Sequence, residues 1–465
     1  MTITLATLGS FFLLLTSIYF INPKYRAQIV LVSRIFLGIV FIYSGFVKAV
    51  DPLGSTYKFT DYFNAFGMPF FIPMAFSLAI VLSSLEFLIG VGLLAGMYTK
   101  LFNRLAIAFM LIFTPVTLVL AISNPVSDCG CFGDALILTN WETFWKNIII
   151  DLAILLVLVG GKTIKECKKS WIKISVLSMA LIAIVGVSMY GYRHLPILDF
   201  RPYHVGVNIW NDMQMPADAP TDVYKSSFVY QNAITGQSKV FEESELSVPL
   251  AEPDVWAFVE SYSELVSEGY HPPIHDFTIS QKGIGDIADI VLHDSSYTFI
   301  IVSYDLSAAD NWGLEQLEIL RRKLAGKGYK TLYLTASLDE QINDKQDWFN
   351  ETLGPDTNQK PEMLTEKIYF YDYMGEVVEF KETELPDDLS DDYVLVGVED
   401  QKIESETKQH SPFYICDPIT LKTIVRANPG LVLLKNGTIL AKWHFNDRPT
   451  LDYILQTYPL KDKNK

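Results

Sequence analysis

The 465-residue sequence has only four cysteines and seven histidines, and it lacks several common catalytic patterns. It contains no Cys-x-x-Cys motif, and it shows no nucleotide-binding glycine loop, metal cluster or hydrolase triad. No histidine precedes His194, so a closed four-ligand zinc site is disfavoured in the first part of the chain. Lys and Arg number 37 against 53 Asp and Glu, and this acidic balance argues against nucleic-acid binding.

Two of the four cysteines stand in one tripeptide, Cys129-Gly130-Cys131. Such a pair can close a disulfide, reopen it or hold a metal ion, and Gly130 can adopt backbone angles that other residues avoid. The small ring is expected to be strained and therefore more oxidising than a structural disulfide. Because Asp128 and Asp134 disfavour a nearby thiolate, we expect no strongly lowered cysteine pKa. A static loop clip and a Cu(I) or Zn site remain alternatives.

The first 195 residues contain six apolar runs, each close to the length of about 20 residues that a membrane-spanning helix needs. They are roughly 2–22, 29–50, 71–97, 101–123, 145–161 and 171–192. The first run lacks a basic start and an Ala-x-Ala-like cleavage site, so it is interpreted as a retained helix. The alternative has five spans and an amphipathic first segment.

Charge sets the expected orientation of these spans. Lys and Arg concentrate in the loops after the first, third and fifth runs, at Lys24 and Arg26, Lys100 and Arg104, and Lys162, Lys165, Lys168 and Lys169. These loops are predicted to be cytoplasmic, which places the thiol pair and everything after residue 193 outside. Residues 1–195 hold 14 Lys and Arg against 8 Asp and Glu, whereas the rest holds 23 against 45. The second part is thus an acidic soluble region.

Ionisable residues inside apolar runs are costly and often functional, and three of those in this sequence stand out. Arg34 and Asp151 lie near span ends, from which long or polar side chains can reach the headgroups. Glu86 has about ten apolar residues on each side and is expected to face the bundle interior with a partner or as the neutral acid. The nearby glycines of spans two and three are typical of close helix packing in lipid.

These residues carry a family resemblance over about 30–160. Arg34, Gly38, Ser44-Gly45 and Lys48, followed by Glu86 and a glycine-rich helix end, resemble the DoxX family of small bacterial membrane proteins. The run Cys129-Gly-Cys131-Phe-Gly133-Asp134 before a further span is similar to the MauE branch, the methylamine-utilisation membrane proteins. The resemblance implies a helical membrane bundle associated with envelope thiol–disulfide or electron-transfer processes.

The soluble region begins with a Pro-rich linker, followed by a predicted hairpin at 223–241 and a predicted helix at 251–270. From about 271, strands alternate with helices, which predicts a parallel or mixed sheet with crossovers. The order over 271–460 resembles the thioredoxin fold in its TlpA-like and peroxiredoxin-like forms, in which Pro429 matches the family's cis-proline. The resemblance implies Cys-x-x-Cys near 306–314, but no cysteine stands there. Cys416 is interpreted as a buried, unreactive thiol.

The sequence therefore predicts a membrane helical bundle at 1–193, a linker with an accessory hairpin and helix at 194–270, and a thioredoxin-like α/β domain at 271–465. It favours a multi-pass protein of the bacterial inner membrane with its C-terminal domain in the periplasm. The first interpretation is a thiol–disulfide or electron-transfer protein that uses Cys129 and Cys131 and docks an envelope partner. The alternatives are a non-enzymatic scaffold, or a solute or quinone pathway around Glu86. The sequence identifies no cofactor, metal or oligomeric state.

Overall fold

The computed structural model describes residues 2–126, 128–161, 164, 169–216, 218–267, 269–275, 277–281, 285–356, 368–371, 377–380, 394–397 and 412–460. The chain forms two compact units, one built from Met1–Gly206 with Thr278–Lys465 and the other from Val207–Phe277. The first unit contains a helical bundle and the larger sheet. Cys167, Lys162, Lys165 and Lys168 lie outside the described residues.

Seven helices among the described residues form the bundle. They are α1 (Thr2–Ile21), α2 (Arg26–Val50), α3 (Pro52–Ala65), α4 (Ala75–Leu94), α5 (Thr99–Ser123), α6 (Asn140–Val159) and α7 (Ser170–Arg193). Short 3-10 turns occur at Pro23–Tyr25, Pro69–Met74 and Gly133–Ala135. The core joins side chains of five of these helices, for example Phe12, Leu37, Ile89, Phe109 and Ala153.

Within the described part of the chain, five helical segments are long and apolar enough to cross a membrane. They are Thr4–Ile21, Pro23–Val50, Pro69–Leu94, Thr99–Ser123 and Ser170–Arg193. The remaining predicted span corresponds to α6, which is 20 residues long but carries Glu142, Lys146 and Asp151. These apolar helices fit a membrane helical bundle.

Helices α2 and α4 approach so closely that glycine is required at their contact. A Cβ atom on Gly45 would lie 2.5 Å from the Phe87 backbone nitrogen, and one on Gly90 would lie 2.5 Å from that of Ile42. Real Cβ atoms do not approach backbone atoms this closely. The small-residue pattern of the sequence therefore corresponds to a real close packing of two helices.

A seven-stranded sheet forms the second part of the first unit, in the order β13-β12-β6-β7-β11-β4-β5. The strands are β4 (Ser280–Gln281), β5 (Gly285–Asp286), β6 (Thr298–Ser303), β7 (Lys330–Thr335), β11 (Phe413–Ile415), β12 (Gly430–Lys435) and β13 (Thr438–His444). Strands β6, β7 and β11 are parallel, whereas β12 and β13 form an antiparallel hairpin beside β6. A separate antiparallel sheet contains β8 (Ile368–Tyr371), β9 (Val377–Phe380) and β10 (Val394–Gly397) in the order β10-β8-β9.

The helices of this part are α10 (Ala288–Leu292), α11 (Asn311–Ala325), α12 (Asp339–Leu353), α13 (Pro418–Ile424) and α14 (Leu451–Thr457), with a 3-10 turn at Phe445–Asp447. Every residue of β6 is buried, so both faces of the sheet are covered there. Leu314 and Leu317 of α11 pack on Phe299 and Leu433 of the sheet. The Asn428–Pro429 peptide bond immediately before β12 is cis.

The second unit is built on a three-stranded antiparallel sheet in the order β2-β1-β3. Its elements are β1 (Val223–Asn232), β2 (Ser238–Glu242), β3 (Trp256–Ser267), and the short helices α8 (Ile209–Met213) and α9 (Ser247–Ala251), with a 3-10 turn at Glu243–Glu245. The predicted hairpin is present, but the helix expected at 251–270 is wrong. Residues 256–267 instead form a strand that pairs along the full length of β1, from Val223 opposite Ser267 to Asn232 opposite Trp256.

A thiol pair beside an apolar cavity

The loop between α5 and α6 brings the two cysteine side chains together. Cys129 and Cys131 are both free thiols, and their Sγ atoms lie 2.7 Å apart. Gly130 has a φ of +60°, a conformation that glycine adopts without strain and that turns both side chains to the same side of the loop. The Gly133 backbone N–H donates to the Gly130 carbonyl at 3.0 Å, which closes the turn. The loop therefore presents a preformed dithiol.

Cys129 is the more buried member of the pair. Its side chain is 8% exposed, and its thiol lies 3.2 Å from the Thr143 hydroxyl on α6. The Tyr62 hydroxyl on α3 donates a short hydrogen bond to the Cys129 carbonyl. The Cys131 backbone N–H points at Cys129 Sγ, 3.3 Å away. Because Cys131 is the more exposed of the two, it is the thiol that a reactant reaches first.

The pKa values of the two thiols move in opposite directions. The hydrogen bond from Cys129 to Cys131 lowers the pKa of Cys131, and the charges of Lys146 and Lys48 lower it further against the opposing effect of burial. The same hydrogen bond, together with burial, raises the pKa of Cys129. Within the pair, the thiolate form is therefore favoured at Cys131 and the thiol form at Cys129. The expectation of no strongly lowered cysteine pKa is therefore wrong for Cys131.

The two acidic neighbours that motivated that expectation are paired with cations. The Lys58 ammonium lies 2.6 Å from the Asp128 carboxylate, which also accepts the Gly130 N–H at 2.8 Å. Arg426, from the sheet part of the chain, lies 3.1 Å from Asp134. Each carboxylate therefore meets an opposite charge that reduces its effect on the thiols.

Glu86 is connected to the thiol loop through a serine. Its carboxylate lies 2.6 Å from the Lys48 ammonium, and it is 3% exposed. The Ser44 hydroxyl lies 2.9 Å both from Glu86 and from the Cys131 carbonyl. The expected inward orientation and partner of Glu86 are therefore present in the structure. The Lys48–Glu86 pair and the dithiol form one connected polar group.

A cavity of about 420 Å³ adjoins this group. Most of its lining is apolar and comes from α3, α4 and α5, including Phe59, Leu82, Phe109, Phe113 and Val116. Polar lining comes from the thiol loop and from all five helices α2–α6, and includes Cys129, Cys131, Ser44, Lys48, Lys58, Glu86, Lys146 and Asn147. The size and the mixture of apolar walls with a few polar groups are typical of small-molecule sites.

The sheet part of the first unit contacts the thiol loop and the neighbouring ends of the bundle helices. Arg426, two residues beyond α13, lies 2.7 Å from Asp51 at the end of α2. The rings of Tyr57 on α3 and Tyr304 after β6 meet edge to face with centroids 6.2 Å apart, and Lys422 lies over both rings. A smaller cavity of about 220 Å³ remains between these elements and reaches Gly130.

The other residues singled out in the sequence lie apart from the dithiol. Arg34 lies at the other end of α2, against Gly96, and Asp151 accepts a hydrogen bond from Thr114 at 2.9 Å. Pro429 lies immediately before β12 in the sheet part. Cys416 is 2% exposed, and burial raises its pKa to about 12. Among the described residues, no three or more His, Cys, Asp or Glu side chains gather as metal ligands.

Sequence reasoning missed several residues that surround the thiols, above all Lys58 and Tyr62 on α3 and Lys146 on α6. The signal for α3 was present, since Asp51 caps the helix and Pro52 occupies its first position. The contact with Arg426 has no local signal, because 375 residues separate it from Asp51. Only the tertiary fold brings them together.

Comparison with known protein families identifies one part of the chain. Residues 26–160 match the family model described as methylamine utilisation protein MauE. The match runs from α2 to α6 and includes the dithiol, so the predicted resemblance over about 30–160 is confirmed for the MauE branch. No curated protein sequence matches the chain, and no solved structure matches it. The chain thus combines a MauE-like membrane segment with a larger region outside the family model.

Proposed function

We propose that this membrane protein carries out thiol–disulfide exchange through Cys129 and Cys131. The observation that carries the proposal is the geometry of the pair, with two free thiols 2.7 Å apart and Lys48 and Lys146 beside them. The thiolate is the reactive form in disulfide exchange, and nearby cations stabilise it. A disulfide that only holds the loop closed would not require the two lysines beside the thiols.

The proposed reaction begins at Cys131, the more exposed thiol with the lowered pKa. Its thiolate attacks a disulfide of a partner protein, forming a mixed disulfide and releasing one partner thiolate, which takes up a proton. Cys129 then loses its proton and attacks Cys131 Sγ, closing the Cys129–Cys131 disulfide and releasing the second partner thiol. The partner gains two electrons and two protons, and the same steps in reverse oxidise a reduced partner.

The sheet part is proposed to be a thioredoxin-like domain that lacks its own Cys-x-x-Cys and positions a partner. The neighbouring order β13-β12-β6-β7, with a parallel pair beside an antiparallel hairpin, supports this assignment. The contacts of Tyr304 and Arg426 with the bundle support a role close to the dithiol. The proposed domains are 1–193 for the membrane bundle, 194–270 for the linker with its accessory elements, and 271–465 for the thioredoxin-like domain.

The proposed location is the bacterial inner membrane, with the thiol loop and the C-terminal region in the periplasm. The basic loops support this orientation, and disulfide chemistry suits an oxidising compartment. A reporter fused after residue 165 should be active only in the cytoplasm, and one fused after residue 200 only outside. The reverse result at either site would contradict the proposed orientation. The thiol loop would then lie in the cytoplasm, where the redox proposal does not hold.

The exchange reaction is tested by trapping its intermediate. Cys129→Ser leaves Cys131 able to attack but removes the thiol that resolves the mixed disulfide, so an adduct should accumulate on non-reducing gels. Changing both cysteines to Ser should abolish the adduct, and Cys416→Ser should leave it unchanged. If the double variant is fully functional and no adduct forms under oxidising conditions, the pair is a clip and the chain acts as a scaffold.

A further inference from the structure

The cavity beside the dithiol has a shape and lining that point to one class of ligand. Its volume of about 420 Å³ accommodates a ring with a short side chain, and aromatic residues such as Phe41, Phe109 and Phe113 surround it. Two further lining residues, Phe66 and Ile112, are exposed at 37% and 63% on apolar parts of the surface. If α5 spans the membrane, Ile112 lies midway along the helix and faces lipid. The cavity is therefore placed to receive a molecule from the bilayer.

The polar groups on the cavity lining indicate which polar groups a ligand should carry. Lys48, Lys146 and Asn147 lie on the lining of the cavity. Lys48 donates one N–H to Glu86 and Asn147 donates one to Thr117, which leaves further N–H groups on both side chains. These groups suit a molecule with carbonyl acceptors rather than an aliphatic chain alone. The same part of the lining includes both cysteine thiols, which places a reducing group beside those acceptors.

We propose that this cavity binds a lipid-soluble quinone, which accepts electrons from the Cys129–Cys131 dithiol. This inference rests on the proposed thiol–disulfide function and names the oxidant that would regenerate its disulfide. The Cys129–Cys131 S–S bond forms as the two thiols lose two electrons and two protons, and the quinone takes up both to become the quinol. The Lys48–Glu86 ion pair adjoins the cavity and holds exchangeable protons next to the reacting groups.

The test uses the full-length protein, reduced, freed of reductant and embedded in lipid nanodiscs, with ubiquinone-1 as the probe. The ring of this quinone is fully substituted, so a thiol cannot simply add to it. We expect the quinone absorbance to fall by one equivalent per dithiol while Cys129 and Cys131 become resistant to alkylation. Changing both cysteines to Ser should abolish the reaction.

Cavity-filling variants connect the reaction to the cavity. Val116→Trp places an indole in the cavity and should raise the quinone concentration for half-maximal rate by about tenfold or more. Val119→Trp is the matched control, because Val119 is 46% exposed on the same helix and is not part of the lining. Ala79→Leu provides a second cavity-filling variant in case the first folds poorly. Oxidation of each variant by diamide, a small water-soluble oxidant, shows that its dithiol is intact.

The outcomes separate this inference from the function on which it rests. Equal quinone kinetics in Val116→Trp, Ala79→Leu and Val119→Trp would overturn the cavity as the quinone site. If diamide oxidises the wild-type pair and Cys129→Ser traps a partner, but ubiquinone-1 is not reduced, the exchange function stands and the quinone inference fails. If diamide does not oxidise the pair and no adduct forms, both fail.

Discussion

At the scale of single residues, the reactivity of Cys131 depends on its immediate neighbours. Because Cys129 donates a hydrogen bond to it and Lys146 lies nearby, its pKa is lowered. The rate of alkylation of Cys131 should therefore reach half its maximum at a pH below the ordinary thiol value of about 8.5. Lys146→Met should move this midpoint upward and slow alkylation at pH 7 severalfold. Mass spectrometry of the labelled loop at a series of pH values measures both effects.

The controls for this prediction lie in the same chain. Lys100→Met alters a cation near the start of α5, about 35 Å along that helix from the end that leads to the thiol loop, and it should leave the midpoint unchanged. Cys416 should remain unlabelled in the folded protein, since it is buried and its pKa is raised to about 12. Equal midpoints for the wild type and Lys146→Met would show that the lysine does not stabilise the thiolate.

At the residue scale, the sequence points to the candidate site residues but does not predict their pKa values. Cys129, Cys131 and the inward-facing Glu86 can be found from the sequence, because spacing and an isolated charge among apolar residues are local signals. The pKa of Cys131 could not be predicted in the same way. Asp128 and Asp134 are visible beside it in sequence, whereas Lys48, Lys146 and Arg426 approach only through helix packing and the docking of the sheet.

At the scale of secondary-structure elements, the contact between α2 and α4 holds the Ser44–Glu86 connection in place. Gly45→Ala would bring a methyl group within 2.5 Å of the Phe87 backbone nitrogen. The helices must then separate, and the cost of overpacking is typically about 1–3 kcal/mol. We therefore expect a lower midpoint of thermal unfolding in detergent. Alkylation of Cys131 should change as well, because Ser44, which precedes Gly45, donates a hydrogen bond to the Cys131 carbonyl.

A second glycine provides the comparison. Gly186 lies within α7, and apart from the neighbouring backbone of its own helix nothing lies within 4 Å of the position that a Cβ would occupy. Gly186→Ala should be neutral or stabilising by up to about 1 kcal/mol, since alanine is the better helix former. Equal unfolding midpoints for the two variants would mean that the α2–α4 contact tolerates a methyl group and is looser than the structure indicates.

The elements themselves are predicted from sequence to very different degrees. The apolar runs predict six of the helices, namely α1, α2, α4, α5, α6 and α7. A continuous apolar stretch of about 20 residues is the length that a membrane-spanning helix needs, so the pattern indicates a helix directly. The helix α3 was missed because its apolar and polar residues are mixed, and it lies between two stronger signals. The sequence predicts a helix where β3 forms, because the pairing partner β1 lies about 30 residues earlier and register with a partner is not a local property.

At the scale of the whole molecule, Arg426 connects the sheet part to the bundle of the first unit. Its guanidinium is 6% exposed and reaches both Asp51 and Asp134. Burial raises the pKa of Asp51, but the charges of Arg426 and Arg201 outweigh this effect and lower it overall. The contribution of Asp51 to this contact is therefore complete above its unfolded pKa of about 3.9 and is lost as the pH falls through the lower folded value.

Removing the guanidinium charge should weaken this contact at neutral pH. Arg426→Gln leaves two partly buried carboxylates without their cation, a change that typically costs about 2 kcal/mol or more. We expect faster amide hydrogen exchange in α13 and in residues 128–134, together with faster alkylation of Cys131. Arg448→Gln is the matched control, because Arg448 contacts Gln316, Trp312 and Phe445 within the sheet part. Should both variants exchange and react like the wild type, the Arg426 ion pairs would not hold the sheet over the dithiol. Access to the thiols would then be set by the loop and the bundle alone.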